Sequence, residues 1–220
     1  MSLTREQIAE RAASELPNGS YVNLGLGIPT LVSNYLEDSQ NITIHSENGI
    51  LNLGPSPFSG EEDPDLINAS KETVTIQKGG SFFDSSLSFS MVRGGHIDVT
   101  ILGAMEVAEN GDLANWAVPG KMISGMGGAM DLVVGAKKVI VTMEHVTKRG
   151  SSKILKDCTL PLTGKGVVDL ILTDLALITV EKEGLVLREI APGVDKSEVI
   201  EKTDTKLIIS PDLKEMFSNS

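Results

Sequence analysis

Cysteine occurs once in these 220 residues, at Cys158, which excludes an internal disulfide and any cysteine-built zinc site. The histidines are His45, His96 and His145; no two stand at helical metal-binding spacing, and neither HExxH nor Cys-x-x-Cys occurs. Metal catalysis is therefore not expected. A nucleophilic Cys158 would need an imidazole beside it, and Thr159-Leu160-Pro161-Leu162 gives the thiol an apolar setting that disfavours the thiolate. A small buried hydrophobe is the simpler reading.

Basic residues are also scarce: 19 Lys and Arg face 30 Asp and Glu, for a net charge of −11 and a pI near 4.7. Nucleic acid and anionic membrane surfaces would be repelled on average. An anionic small molecule would need a local patch, for which the candidates are Lys71, Lys78, Arg93, Lys121, Lys148, Arg149 and Lys153. Long apolar runs are missing too, none approaching the ~20 residues of a membrane span. Met1 to Leu16 carries charges where a secretory signal would be apolar, so a cytoplasmic location is expected.

What is present is an ordinary globular composition, 40% hydrophobic and 22% charged, enough for one core. Thr4-Arg5-Glu6-Gln7 has the form of a capping box ahead of Ile8, Ala12 and Leu16, predicting a first helix that stops at Pro17-Asn18-Gly19. Strands are read at 21–24, 42–45, 71–76, 97–102, 138–143 and 175–180, with helices after Pro29, over 85–92, after Gly128, over 164–172 and weakly over 195–202. Gly79-Gly80 reads as a turn and 56–65 as a surface loop. Glu183-Gly184 joins two apolar runs at hairpin distance, and 206–209 is a last strand before a frayed helix from Pro211. The expected fold is α/β: one domain over 1–220, with a frayed tail at 211–220. It has a single open, mostly parallel sheet with helices on both faces and an antiparallel hairpin closing one edge.

Three stretches carry the chemistry. The alternation of Ile42-Thr43-Ile44-His45 delivers Glu47 to a strand end, where open α/β sheets place their sites, just ahead of Gly49 and Gly54. A strand-end carboxylate is more often a solvated charge than a reactive group. Val22-Asn23-Leu24 runs into Gly25-Leu26-Gly27-Ile28-Pro29; the pattern lacks the third glycine of a dinucleotide fingerprint, and Pro29 removes a helix-start amide. Gly125-Met126-Gly127-Gly128 leads into a helix, an arrangement that aims unpaired amides at an oxyanion or phosphate. Trp116, the single tryptophan, is more often a core anchor than a ligand contact.

From about Thr4 to Ile209 the chain resembles the B subunit of two-subunit 3-oxoacid coenzyme A transferases. The likeness lies in Val22 to Pro29, in Ser46-Glu47-Asn48-Gly49, in Leu113-Ala114-Asn115-Trp116 with Pro119-Gly120-Lys121, and in Gly127-Gly128-Ala129-Met130-Asp131-Leu132. Asn52 replaces a glycine often seen between Leu51 and Leu53, and would either narrow the acyl pocket or be tolerated at a loop surface. The resemblance implies that Glu47 is a covalent nucleophile and that the Gly128 amide stabilises an oxyanion. It implies that Asn23, Gly25, Gly27, Asn48 and Gly127 border the substrate and that Lys71 meets the nucleotide phosphates of coenzyme A. Coenzyme A would be a substrate, with no tightly bound cofactor. The partner would be an A subunit in an α2β2 heterotetramer, and the acids acetoacetate and succinyl-CoA, with acetate or butyrate donors as the alternative. A sugar-phosphate isomerase of the same general fold would turn over without any thiol, and a non-catalytic binding protein would be indifferent to loss of Glu47.

Overall fold

The computed structural model describes residues 2–120 and 125–218. In chain order its elements are α1 (Arg5–Ala13), β1 (Tyr21–Leu24), α2 (Ile28–Leu31), β2 (Thr43–Ser46), β3 (Ile50–Leu53), β4 (Ile76–Phe82), α3 (Ser85–Arg93), β5 (Val99–Gly103), β6 (Glu106–Ala108), β7 (Leu113–Ala114), α4 (Ala129–Gly135), β8 (Lys138–Met143), β9 (Ile154–Leu155), β10 (Leu170–Thr173), β11 (Ala176–Glu181), β12 (Gly184–Ile190), α5 (Lys196–Glu201) and β13 (Leu207–Glu215). Ten strands form one sheet in the order β13-β12-β11-β10-β8-β5-β1-β2-β3-β4, and β7-β6-β9 form a small second sheet. The centre, β10-β8-β5-β1-β2, is parallel throughout. Its strands are buried runs such as Val139 to Met143 and Leu170 to Thr173, as a sheet covered on both faces requires.

The cover comes from two helical groups. The capping box at Thr4 forms as expected and starts α1, which buries Ile8, Ala9 and Ala12 and packs on α2, β8 and β10. On the other side α3 packs on α4. Both α2 and α4 contact β5, so the central strand lies between the groups. Among the described residues no helix is long and apolar enough to cross a membrane.

Several expectations are corrected. The β11–β12 hairpin forms, but β13 pairs parallel to β12 outside it, so the hairpin is one strand in from the edge. A second antiparallel set, β2-β3-β4, closes the opposite edge. Residues 164–169 are irregular and Leu170 begins a strand where a helix was read, because a short fully buried apolar run has no periodicity to separate the two. The strand read at 71–76 begins only at Ile76 and runs to Phe82, since residues 72–75 bond back to Leu66 and Asn68 and to Gly54 and Pro55. Gly79 and Gly80 are a bulge within that strand, between the pairs Leu51–Ser81 and Leu53–Ile76.

At the C-terminus, residues 211–215 continue β13 in place of the frayed helix expected there. The register jumps between the pairs Leu187–Ile209 and Glu189–Lys214, which puts Pro211 in a bulge of an edge strand, where its missing N–H does no harm. Both edge strands of the sheet are thus interrupted by bulges, a feature that discourages edge-to-edge pairing.

Candidate active site

The carboxyl ends of β1, β2 and β5 converge on a cavity of about 440 Å³. Asn23 to Leu26 follow from β1, Glu47 from β2 and Leu102 to Met105 from β5; Gly125 to Ala129 and the pair Asn115 and Trp116 face them. The far wall is tied down by hydrogen bonds. Asn115 Nδ2 donates to the Gly103 carbonyl at 3.1 Å and Trp116 Nε1 donates to the Leu162 carbonyl at 3.1 Å. Trp116 is therefore an anchor that also lines the cavity.

Glu47 sits in the turn between β2 and β3, closed by the Gly49 N–H donating to the Ser46 carbonyl at 3.0 Å. Gly49 adopts φ 114°, and a Cβ there would lie 1.9 Å from the Phe83 carbonyl oxygen, so only glycine fits. The turn is further pinned by the loop that follows β3: Ser46 Oγ accepts from the Ala69 N–H at 3.1 Å, and Asn48 Nδ2 donates to the Ile67 carbonyl at 2.7 Å. The result is a fixed, half-buried carboxylate.

Opposing forces act on that carboxylate. Burial pushes the Glu47 pKa up, the Gly128 N–H donating to it pulls back, and the Asp131 charge pushes up again, leaving it raised overall. Gly128 has no room for a side chain: a Cβ would stand 2.3 Å from Glu47 Oε2 and 2.7 Å from the Phe89 ring. Beneath the turn, Asn23 Nδ2 donates to His45 Nδ1 at 3.1 Å and to the His45 carbonyl at 3.3 Å, and His45 Nε2 meets Ser88 Oγ at 2.9 Å. Since Asn23 donates to Nδ1, the ring proton is on Nε2. Burial lowers the His45 pKa to about 4, so the imidazole is neutral.

Of the residues singled out in the sequence, Asn23, Gly25, Glu47, Gly127 and Gly128 come together on the cavity. Three do not. Gly27 begins α2 beside the Arg5 side chain, Asn48 is exposed and spends its amide on Ile67, and Lys71 is exposed in a turn next to Ala69 and Ser70, which do line the wall. Lys121 lies outside the described residues. Asn52 is not on this cavity; its Nδ2 donates to the Lys78 carbonyl at 3.2 Å. Cys158 lies away from it as well, with burial and the nearby Glu106 and Asp112 pushing its pKa up to about 12. Sequence reasoning missed Phe89, Ala69 and Ser70, which carry no motif and reach the site only through folding. Among the described residues no group of three or more His, Cys, Asp or Glu is placed to hold a metal ion.

Comparison with known proteins joins this geometry to a family. Residues 5–202 match the coenzyme A transferase family model. The chain is 57% identical over 202 residues to the B subunit of succinyl-CoA:3-ketoacid coenzyme A transferase from Helicobacter pylori, covering 92% of this chain and 97% of that protein. It is 53% identical over 207 residues to the B subunit of 3-oxoadipate CoA-transferase from Acinetobacter baylyi, covering 94% and 95%. Among solved structures it superposes on an acyl-CoA transferase of Escherichia coli, described as a thioester complex with CoA, with a TM-score of 0.78 and 25% identity; 98% of this chain matches 43% of that one. By sequence over nearly its whole length, and by a fold that brings Glu47 and Gly128 together at the strand ends, the chain belongs to the coenzyme A transferase family.

Proposed function

We propose that this chain is the B subunit of a 3-oxoacid coenzyme A transferase that moves coenzyme A between succinyl-CoA and acetoacetate or a related 3-oxoacid, with Glu47 as covalent nucleophile. The observation that carries the reading is the Glu47 carboxylate, held on the cavity by a fixed turn and met by the Gly128 N–H. Glu47 attacks the thioester carbonyl, and collapse of the tetrahedral intermediate expels the CoA thiolate and leaves a mixed anhydride. The thiolate then attacks the Glu47 carbonyl carbon and displaces the first acid, giving a glutamyl-CoA thioester. The acceptor carboxylate runs the two steps in reverse, so the thioester energy is retained without ATP and the kinetics are ping-pong.

The Gly128 backbone lies close beside the Glu47 carboxylate, so the oxyanion its amide is best placed to stabilise is the one that forms on the Glu47 carbonyl when thiolate attacks or leaves. One such donor is worth about 3–4 kcal/mol. The Asn23 amide has a different part: both its donors go to His45, which fixes the strand below the nucleophile. An A subunit completing an α2β2 assembly belongs to this reading. It is supported by the names of the two bacterial relatives, each a B subunit, and by the E. coli chain, of which this one spans 43%. The relative named for 3-oxoadipate makes a dicarboxylic acceptor the first alternative to assay.

The test is to purify the chain with whatever copurifies, incubate it with succinyl-CoA and no acceptor, add hydroxylamine and map the peptides by mass. A hydroxamate on Glu47, absent from Glu47→Ala, is the expected result. A complex that exchanges CoA while Glu47 stays unmodified would overturn the mechanism.

A further inference from the structure

The amide that meets Glu47 is backed by a cluster the reaction does not consume. The Glu47 carboxylate and the Phe89 ring both crowd the position a Gly128 side chain would take, at 2.3 and 2.7 Å. The Arg93 guanidinium, one turn further along α3, lies over that ring at 5.8 Å from its centroid. Its Nε and Nη2 donate to Asp131 Oδ1 and Oδ2 at 2.8 and 3.2 Å, a two-point clamp between α3 and α4. Asp131 stands in the first turn of α4, three residues after Gly128, and its charge opposes ionisation of Glu47. Contacts thus run from Glu47 through Gly128, Phe89 and Arg93 to Asp131, whose charge acts back on Glu47.

As a stabilising device the clamp is weak. The Arg93 side chain is 65% exposed and that of Asp131 34%, and exposed ion pairs contribute little to folding. Its position beside the nucleophile gives it a different consequence. We propose that Arg93 is a positioning residue for the transfer reaction: paired with Asp131 across the Phe89 ring, it fixes the Gly128 amide against Glu47 and neutralises the carboxylate that opposes the ionised nucleophile. The role rests on Glu47 being that nucleophile. Among the described residues, other charged neighbours do not substitute for it. On β2, His45 is neutral between Asn23 and Ser88. The β1 and β5 ends on the cavity, Asn23 to Leu26 and Leu102 to Met105, carry no ionisable side chain, and from the 66–74 loop only Ala69 and Ser70 reach it. Asp84, at the start of α3, accepts from the Leu87 N–H.

The test uses the full chain copurified with its partner and three variants, Arg93→Met, Asp131→Asn and Arg93→Lys. The ionisation midpoint of Glu47 is followed by carbon-13 NMR on labelled glutamate, with the resonance assigned from Glu47→Gln. Hydroxylamine trapping reports acylation of the wild type, and steady-state assays separate kcat from KM. Arg93→Met is expected to raise the midpoint by about half to one pH unit, Asp131→Asn to lower it by a similar amount, and Arg93→Lys to stay near the wild type. In Arg93→Met kcat at pH 7 should fall about tenfold with KM for acyl-CoA nearly unchanged. A purely structural tie between the helices would not move the midpoint in opposite directions. Midpoints that do not move, or that move the same way in both variants, while wild-type Glu47 is acylated, overturn the role of Arg93 alone. A wild type whose Glu47 is never acylated overturns the nucleophile reading, and the positioning role with it.

Discussion

His45 and His145 are 1% and 0% exposed, and each has both ring nitrogens within 3.1 Å of a polar side chain. Burial drives both pKa values down to about 4, with Lys202 and Lys153 adding to the effect at His145. By burial and titration the two sites are indistinguishable. Their partners separate them. His45 is held by Asn23, which lines the cavity, and by Ser88, next to Phe89 on α3; two residues later comes Glu47. His145 is held by Thr173 at the end of β10 and Thr203 just past α5, and none of these three reaches the cavity. A buried neutral histidine is thus a general way of satisfying polar positions in a sheet, and only its neighbours decide whether it serves a reaction.

The largest test of that contrast replaces one residue on each side. Gly128→Ala places a methyl group against Glu47 Oε2 and the Phe89 ring while leaving an ordinary backbone conformation, φ −82°. Its kcat should fall about 10²–10³-fold, the size expected for loss of one oxyanion donor. Leu172→Ala, in the fully buried β10, should do the reverse. It should cost about 2–5 kcal/mol in a urea titration, with kcat per folded enzyme unchanged. Equal losses of rate in the two variants would erase the distinction between the two sites.

The histidines themselves give the next test. Unfolded, each imidazole takes up its proton near 6.5; folded, only near 4. Between those values the unfolded chain binds more protons, so the contribution is complete above pH 6.5 and is lost as the pH falls towards 4. It amounts to about 3 kcal/mol for each site. His45→Gln and His145→Gln should therefore each flatten the fall in urea midpoint between pH 7 and 5 by a similar amount. Only His45→Gln should also lower kcat, by about tenfold, through the loosened Glu47 turn. If His145→Gln lowers kcat as much, the active site extends to the β10 and α5 ends that hold His145.

What could be read from the sequence follows from how local each signal was. The capping box at Thr4, the alternation leading to Glu47 and the glycines before α4 are short-range patterns, and each element formed where it was read. The placement of Glu47 at a strand end and of a glycine loop ahead of α4 was legible for that reason, whereas Asn23 and the Gly128 amide were named only through the family resemblance. The role of Phe89 and Arg93 was not legible, because it depends on α3 packing against α4, a contact with no sequence period. The misread strands have a physical cause as well. Gly79-Gly80 and Pro211 are turn residues that also serve as bulge residues, and only the register of a neighbouring strand tells the two apart.

Asn52 gives the smallest effect and the finest test of where the site ends. It stands at φ 66° in β3, at the register shift opposite the Gly79-Gly80 bulge. That conformation admits glycine freely and asparagine more readily than other side chains. Its amide donates to the Lys78 carbonyl, so the side chain is spent on local backbone bonding at the bulge. Asn52→Gly should give up that bond and gain an easier backbone, leaving stability within about 1 kcal/mol of the wild type. KM for succinyl-CoA and for each 3-oxoacid should not change. A variant that gains activity towards a longer 3-oxoacid while keeping its stability would show that Asn52 narrows the pocket after all, and would carry the boundary of the site from the Glu47 turn into the edge strands.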